Sequence, residues 1–162
     1  MIDLYTWTTP NGRKASILLE ELGVPYTVYA IDITKDEQFA PDFLKIAPNN
    51  RIPAIVDQET GIQLFETGAI MLYLADKHKQ FQCEGNEYWR MMEWLMWQMG
   101  GLVPMLGRTH HFVKYNKGKS EYSEQRYSKE ARRLYGVLNR RLEGREYIAG
   151  EGTGVYSIAD MA

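Results

Sequence analysis

Residues 49–70, NNRIPAIVDQETGIQLFETGAI, constrain the fold of this chain more than any other segment. The apolar run 54–56 follows a proline and predicts a strand, and residues 62–65 predict the return strand of a hairpin. The turn lies at residues 57–61. A helix is predicted over residues 69–77, directly after the hairpin, so two strands and a helix must meet within a short stretch of chain.

Glu66 and Thr67, where the hairpin meets the helix, predict a site for an amino-acid head group. The first N–H groups of a helix have no partner within the helix and lie at the positive end of its dipole, so they attract a carboxylate. Glu66 offers a carboxylate to an amine on the same ligand. The alternative interpretation is that Thr67 only caps its helix and that Glu66 is a solvated turn residue.

The chain before the hairpin predicts a parallel βαβ unit. Residues 2–7 alternate like a strand, a helix follows with Asn11 as N-cap and Gly23 as C-cap, and residues 26–33 predict a second strand. A strand–helix–strand unit with a short return predicts parallel pairing with a right-handed crossover. With a short helix over residues 41–46, the order through the hairpin and its helix becomes β-α-β-α-β-β-α.

Only helical patterns appear from residue 87 onward. Residues 87–99 predict a helix that breaks at Gly100 and continues with a kink near Pro104, and residues 122–142 carry a helical apolar stripe. Near the end, YSIADMA predicts a capping box with Ser157 as N-cap and Asp160 at N3. A capping box predicts a helix beyond it, so we expect the helical part of this chain to be incomplete.

Composition narrows the possible functions. In 162 residues, 19 basic and 21 acidic side chains give a net charge of −2, which argues against nucleic-acid binding. The one cysteine, Cys83, lies in a polar connection, where we expect it to be exposed; it excludes an internal disulfide framework. No signal-peptide pattern or membrane-length apolar run is present, so we expect a cytoplasmic protein without a membrane partner. His110 and His111 lack ligand-spaced partners, and no metal is expected.

These patterns together resemble the cytosolic glutathione transferases. The β-α-β-α-β-β-α order, NNRIPAIVD, LFETGAI and YSIADMA carry the resemblance. TPNGRK, WLMWQMGGLVPMLG and the HHF motif are similar to the Nu class, the bacterial disulfide-bond oxidoreductases of the YfcG/YghU type; fungal nitrogen-regulatory proteins share much of the pattern. The resemblance implies α/β plus all-α architecture: a thioredoxin-like glutathione-binding domain over residues 1–79 and an incomplete all-helical domain over residues 87–162. It also implies a homodimer.

The resemblance assigns activation of the glutathione thiol to Thr9 and Asn11. A free thiol ionises near pH 8.5, roughly, so a hydrogen-bond donor or a positive field must stabilise its thiolate. Where other family members place a Tyr, Ser or Cys, this loop offers a hydroxyl and an amide at the start of a helix. The alternative interpretation is that Asn11 serves only as an N-cap.

The remaining glutathione contacts are also implied by the resemblance. Pro53 is expected to be a cis-proline that leaves the Ile52 backbone free to pair with the cysteine of glutathione. Glu66 and Thr67 are expected to hold the γ-glutamyl head group. Further contacts are expected from Gln38, Asn49 and Arg126, and Tyr5 is expected to be structural.

The leading hypothesis is a glutathione-dependent disulfide reductase of the glutathione transferase superfamily. Because the loop around Thr9 holds no cysteine, the thiols of bound glutathione would carry out the exchange with a small disulfide. Glutathione would thus be a bound co-substrate. Two alternatives stay open: conjugation of glutathione to electrophiles, and a catalytically weak glutathione-binding regulatory protein.

Overall fold

A computed structural model describes residues 1–162 and divides the chain into two units. The N-terminal unit comprises Met1–Gln82 with Met161, and the helical unit comprises Cys83–Asp160 with Ala162. The first holds a four-stranded sheet with helices, and the second is helical, so the predicted combination of α/β and all-α architecture is confirmed. None of the helices is long and apolar enough to cross a membrane.

The N-terminal unit follows the predicted β-α-β-α-β-β-α order. Its elements are β1 Ile2–Thr6, α1 Pro10–Leu22, β2 Tyr26–Ala30, α2 Pro41–Ile46, β3 Ala54–Asp57, β4 Gln63–Phe65 and α3 Thr67–His78. The strand order is β2-β1-β3-β4; β1 and β2 are parallel, and the other neighbours are antiparallel. β2 ends earlier than predicted, because the Asp32 side chain accepts a hydrogen bond from the Thr34 N–H (2.9 Å) and starts a 3-10 turn.

The core of this unit lies around the centre of β1. Leu4 is fully buried and lies opposite Val28 on one side and Ile55 on the other. Helices α1 and α3 pack against each other. The fully buried aliphatic side chains of the unit are Leu4, Leu18, Leu19, Ile55, Ile70, Met71 and Leu74. Each contributes about 1.5–3 kcal/mol when removed from water, which holds the sheet and these helices together.

Two local expectations in this unit are met. The Ile52–Pro53 peptide bond is cis, as the resemblance implies. Tyr5 stacks on Tyr29 with ring centroids 4.9 Å apart and lies beside Phe43, so its role is packing.

The N-caps of α1 and α3 differ from those considered in the sequence analysis. The N-cap of α1 is Thr9 and not Asn11: the Thr9 hydroxyl oxygen accepts a hydrogen bond from the Gly12 N–H (3.2 Å), and Pro10 follows at a position where its missing N–H costs nothing. The N-cap of α3 is Glu66, so Thr67 is the first helical residue and not the cap.

The helical unit runs through α4 Gly85–Trp97, a π-helical segment Gln98–Leu102, α5 Val103–His110, a second π-helical segment His111–Tyr115, α6 Glu121–Arg141 and α7 Ile158–Met161. The predicted break at Gly100 is wrong. A wider π turn absorbs the two glycines, and Pro104 falls in the first turn of α5, so the helical path continues.

Two further predictions concern the ends of this unit. Cys83 is buried, with 8% of its surface exposed, so the expectation of an exposed cysteine is wrong; burial raises the pKa of its thiol. Free cysteine behaves as a small apolar residue, which explains its burial although its neighbours in the sequence are polar. The capping box is confirmed, because the Asp160 carboxylate accepts a hydrogen bond from the Ser157 N–H (3.0 Å).

Asp57 is fully buried at the end of β3 and ties the sheet to α3. Its carboxylate accepts hydrogen bonds from Lys77 Nζ (2.6 Å), the Tyr73 hydroxyl (2.5 Å) and the Glu59 N–H (2.9 Å). Burial by itself would raise the pKa of Asp57, but these hydrogen bonds together outweigh it and hold the pKa well below its usual range.

We expect Lys77→Met to lower the free energy of unfolding by about 3 kcal/mol, because the Asp57 carboxylate would stay buried without its cation. Because the pKa of Asp57 is lowered in the folded state, its ionised carboxylate stabilises the fold above about pH 4. This contribution is lost as the pH falls below that value, so the stability difference between the wild type and Lys77→Met should shrink in acid. Urea unfolding across this pH range measures it. Lys79→Met, which removes an exposed pair with Asp76, is the control and should cost less than about 1 kcal/mol. Equal losses of stability in Lys77→Met and Lys79→Met would contradict the role given to the buried pair between Asp57 and Lys77.

Candidate functional site

The loop from β1 into α1 carries Thr9 and Asn11. The Thr9 oxygen accepts the Gly12 N–H and so caps the helix, while its hydroxyl proton stays available to a ligand. Gly12 is buried, and a Cβ there would collide with the Thr6 hydroxyl and the Trp7 carbonyl oxygen. Glycine is therefore required for the first turn of α1 to approach the end of β1 this closely.

Asn11 is exposed, and its side-chain oxygen accepts a hydrogen bond from a buried lysine. Lys14 Nζ donates to Asn11 Oδ1 at 3.2 Å, and only 6% of the Lys14 surface is exposed. Burial lowers the pKa of Lys14 to about 8. Because an ammonium group only donates, it must face the oxygen of the amide, and the Asn11 NH2 group points away from it.

The turn from β4 into α3 carries Glu66 in an unusual backbone conformation. Its φ of 73° lies in a region that side-chain-bearing residues seldom adopt, and such strain clusters at functional sites. The Asn49 side-chain amide donates to the Glu66 carboxylate (3.2 Å). No side chain caps α3, so the first N–H groups of the helix keep their capacity to bind an anion.

One cavity of about 180 Å³ joins the α1 and α3 ends. Its lining contains Asn11, Asn49, Ile52, Pro53, Glu66 and Thr67, all of them predicted site residues, together with Arg51 and Phe65. The sequence analysis missed these last two. Arg51 directly precedes Ile52, and Phe65 directly precedes Glu66. Their position next to predicted site residues was therefore the signal that could have identified them.

The other predicted site residues lie outside this lining. Thr9 lies two residues before Asn11, and its hydroxyl oxygen caps α1 by accepting a hydrogen bond from the Gly12 N–H. Gln38 lies in a 3-10 turn; its amide N–H contacts Asp36 (3.4 Å), whereas its buried Oε1 has no hydrogen-bond partner. A buried carbonyl oxygen without a donor is costly, and a ligand N–H would satisfy it.

Arg126 belongs to the helical unit. It lies on α6 and lines a cavity of about 760 Å³ in that unit, whose charged lining is mostly basic: Arg108, Arg126, Lys129, Glu130 and Arg133. Arg133 Nη2 is paired with Glu130 (2.7 Å), so the remaining basic groups give the cavity a positive potential.

The adjacent histidines are engaged in packing. The His110 ring lies edge-on to Tyr115 (centroids 4.7 Å apart), and His111 Nε2 lies 3.1 Å from the Asn116 amide nitrogen. No group of three His, Cys, Asp or Glu side chains is arranged to hold a metal ion.

The fold and the cavity define a thioredoxin-like protein with a small polar site between the starts of two helices. The model of the glutathione S-transferase N-terminal domain family matches residues 1–76. The disulfide-bond oxidoreductase YfcG of Escherichia coli is 48% identical across the whole chain, which spans 77% of that protein. The disulfide-bond oxidoreductase YghU of the same organism is 38% identical over 99% of the chain, which spans 58% of its length.

Solved structures agree with these relatives. A glutathione transferase family member from Pseudomonas fluorescens, solved with two glutathione bound, has a TM-score of 0.92 and 44% identity over 99% of this chain and 72% of its own. A glutathione transferase from Pseudomonas putida, solved with one glutathione disulfide per subunit, has a TM-score of 0.91 and 40% identity over 99% of this chain and 71% of its own. The chain belongs to the glutathione S-transferase family.

We expect Gly12→Ala to lower the free energy of unfolding by about 1–3 kcal/mol, because the new methyl group must displace the Trp7 backbone or the Thr6 side chain. The matched control is Gly107→Ala in α5, where an added Cβ meets nothing; it should stabilise by about 0.5–1 kcal/mol. Denaturant unfolding measures both, and a shared sign would contradict the close approach at Gly12.

We expect the wild type to gain stability relative to Lys14→Met as the pH rises above about 8. The folded-state pKa of Lys14 lies below its unfolded value, so the unfolded chain binds more protons in this range, and stability rises by up to about 1.4 kcal/mol per pH unit. Urea unfolding of both proteins between roughly pH 7 and pH 10 gives the difference. A difference independent of pH would mean that the ammonium group is solvated.

Proposed function

We propose that this protein binds glutathione in the cavity between α1 and α3 and uses it to reduce small disulfides. The observation that carries the proposal is that Asn11 lines the same cavity as Ile52, Glu66 and Thr67. One ligand can therefore meet an amide donor, the Ile52 backbone just before β3, a carboxylate and a helix N-terminus. Glutathione has a partner for each: a thiol, a cysteine backbone, an amine and a carboxylate.

The γ-glutamyl head group would bind at the start of α3. Its carboxylate would accept the uncapped N–H groups near Thr67, and its amine would pair with Glu66, which the Asn49 amide holds in place. Gln38 Oε1 would accept a glutathione N–H, since this oxygen is buried without a partner. Arg126, in the mostly basic cavity of the helical unit, is proposed as a further glutathione contact on the strength of the family resemblance alone.

The thiol would lie at Asn11 and Thr9. A thiolate there would accept hydrogen bonds from the Asn11 NH2 group and the Thr9 hydroxyl, near the positive end of the α1 dipole, which favours ionisation. Cys83 is buried and belongs to the helical unit, so the sulfur that attacks would be that of glutathione.

The reaction balances with two glutathione molecules. One glutathione thiolate attacks the disulfide, forms a mixed disulfide and releases one substrate thiolate, which takes up a proton. A second glutathione attacks the mixed disulfide, so glutathione is oxidised to its disulfide and the substrate is reduced to two thiols. The names of the two bacterial oxidoreductases and the glutathione disulfide in the Pseudomonas putida structure support this reading.

Two finer proposals rest on the family. We propose that the protein works as a homodimer and acts in the cytoplasm, where reduced glutathione is available. Sedimentation at several protein concentrations tests the first, and cell fractionation tests the second.

We expect Asn11→Ala to lower the rate of 2-hydroxyethyl disulfide reduction by about 10- to 100-fold, the worth of one hydrogen bond to a charged group. Glutathione affinity should change little, because Glu66 and the α3 amides hold the other end of the ligand. Oxidation of NADPH by coupled glutathione reductase reports the rate, and calorimetry reports binding. The control is Asn139→Ala, exposed on α6, which should keep both values.

Three results would lead to other functions. Turnover of an aryl halide without turnover of the disulfide would identify a conjugating enzyme. Tight glutathione binding without either reaction would identify a regulatory binding protein. Absence of glutathione binding would overturn the proposal altogether.

A further inference from the structure

We propose that Lys14 is a positioning residue that orients the Asn11 amide towards the ligand and thereby promotes ionisation of the bound glutathione thiol. This inference rests on the proposed function. Lys14 does not line the cavity, so it would act through Asn11 and not on the ligand. Its effect depends on one hydrogen bond between a buried ammonium group and an exposed amide.

Burying the Lys14 side chain is costly. An ammonium group loses its hydration when it is buried, and proteins normally compensate with a carboxylate. Lys14 has no ion pair in this structure, and its one hydrogen bond goes to the neutral oxygen of Asn11. The hydrogen-bond partner of this buried cation is the amide of a site residue. This suggests that Lys14 is retained for the site and not for stability.

None of the charged groups on α1 or α3 forms an ion pair with Lys14. On α3, which packs against α1, the carboxylate of Asp76 pairs with Lys79, and Lys77 and Tyr73 bond Asp57. The other titratable groups of these two helices, none of them bonded to Lys14, are Arg13, Glu20, Glu21 and His78. Burial lowers the pKa of Lys14, and its hydrogen bond goes to Asn11 and not to any of these charged groups.

The hydrogen bond from Lys14 determines which way the Asn11 amide is turned. Without Lys14, the oxygen and NH2 group of Asn11 could exchange places by rotation, and the oxygen would then repel a thiolate. With Lys14 charged, only the orientation that turns the NH2 group outward satisfies both partners. The same contact polarises the amide, so its N–H becomes a stronger donor to an anion.

We expect Lys14→Met to raise the apparent pKa of glutathione bound to the protein by about one unit, since the thiolate would lose an oriented hydrogen-bond donor. Ultraviolet absorbance of the thiolate, followed against pH, measures this value. Affinity for S-methylglutathione, which has no ionisable thiol, should stay within about twofold. The control is Arg13→Met, which removes an exposed charge from the same helix and should leave the thiol pKa unchanged.

A double-mutant cycle distinguishes positioning from a general effect. If Lys14 acts through Asn11, adding Lys14→Met to Asn11→Ala should change the thiol pKa no further, because the group it orients is already absent. Fully additive shifts would overturn the proposal. Equal loss of affinity for glutathione and S-methylglutathione in Lys14→Met would also overturn it, since this result would indicate damage to the fold.

A ligand-free measurement separates this inference from the proposed function. The side-chain amide signals of Asn11 in nitrogen-15 NMR spectra should shift with pH around the Lys14 pKa of about 8 in the wild type and stay constant in Lys14→Met. If the protein bound no glutathione but showed this titration, the coupling would stand and the proposed function would fail. Signals that ignore pH in the wild type would overturn the coupling whether or not glutathione binds.

Discussion

The direct passage from β4 into α3 through Glu66 is the constraint on which the site depends. No loop separates the hairpin from the helix, so Glu66 takes a φ of 73° and the amides of α3 follow without a side-chain cap. Asp57 and its hydrogen bonds to Lys77 and Tyr73 hold the same hairpin against the same helix. A carboxylate and an uncapped helix start are thereby fixed side by side.

The site combines two segments with different tasks. The segment around Ile52 to Thr67 offers groups that suit the backbone and head group of a peptide, but nothing in it stabilises a thiolate. The α1 start offers an amide and a hydroxyl donor, and both are oriented by contacts on their far side: Thr9 by the Gly12 N–H and Asn11 by Lys14. We therefore expect substitutions in the first segment to change binding and substitutions at the α1 start to change the chemistry.

Predictions from the sequence succeeded where the signal was local. They failed where two neighbouring residues could fill the same role, and where the outcome depended on tertiary packing. Helix α2 was predicted around residues 41–46 and is observed at Pro41–Ile46, where proline stands in the first turn, a position that it favours. The α1 cap was assigned to Asn11 although Thr9 fills it, since either residue can cap a helix. Cys83 is buried and the helical path through Gly100 is unbroken because of tertiary packing, and local composition gives no information about such packing.

The sequence by itself determined the strand and helix order, the hairpin and the capping box, because periodicity, turn chemistry and residue spacing act over a few residues. Its motifs carried the family resemblance, and the cis-proline was implied by that resemblance. Only the tertiary structure decided that Asn11 shares a cavity with Glu66, that Arg51 and Phe65 join its lining, and that Lys14 is buried behind the amide. Such contacts join segments tens of residues apart, and their geometry depends on how the sheet and helices pack, which no local pattern encodes.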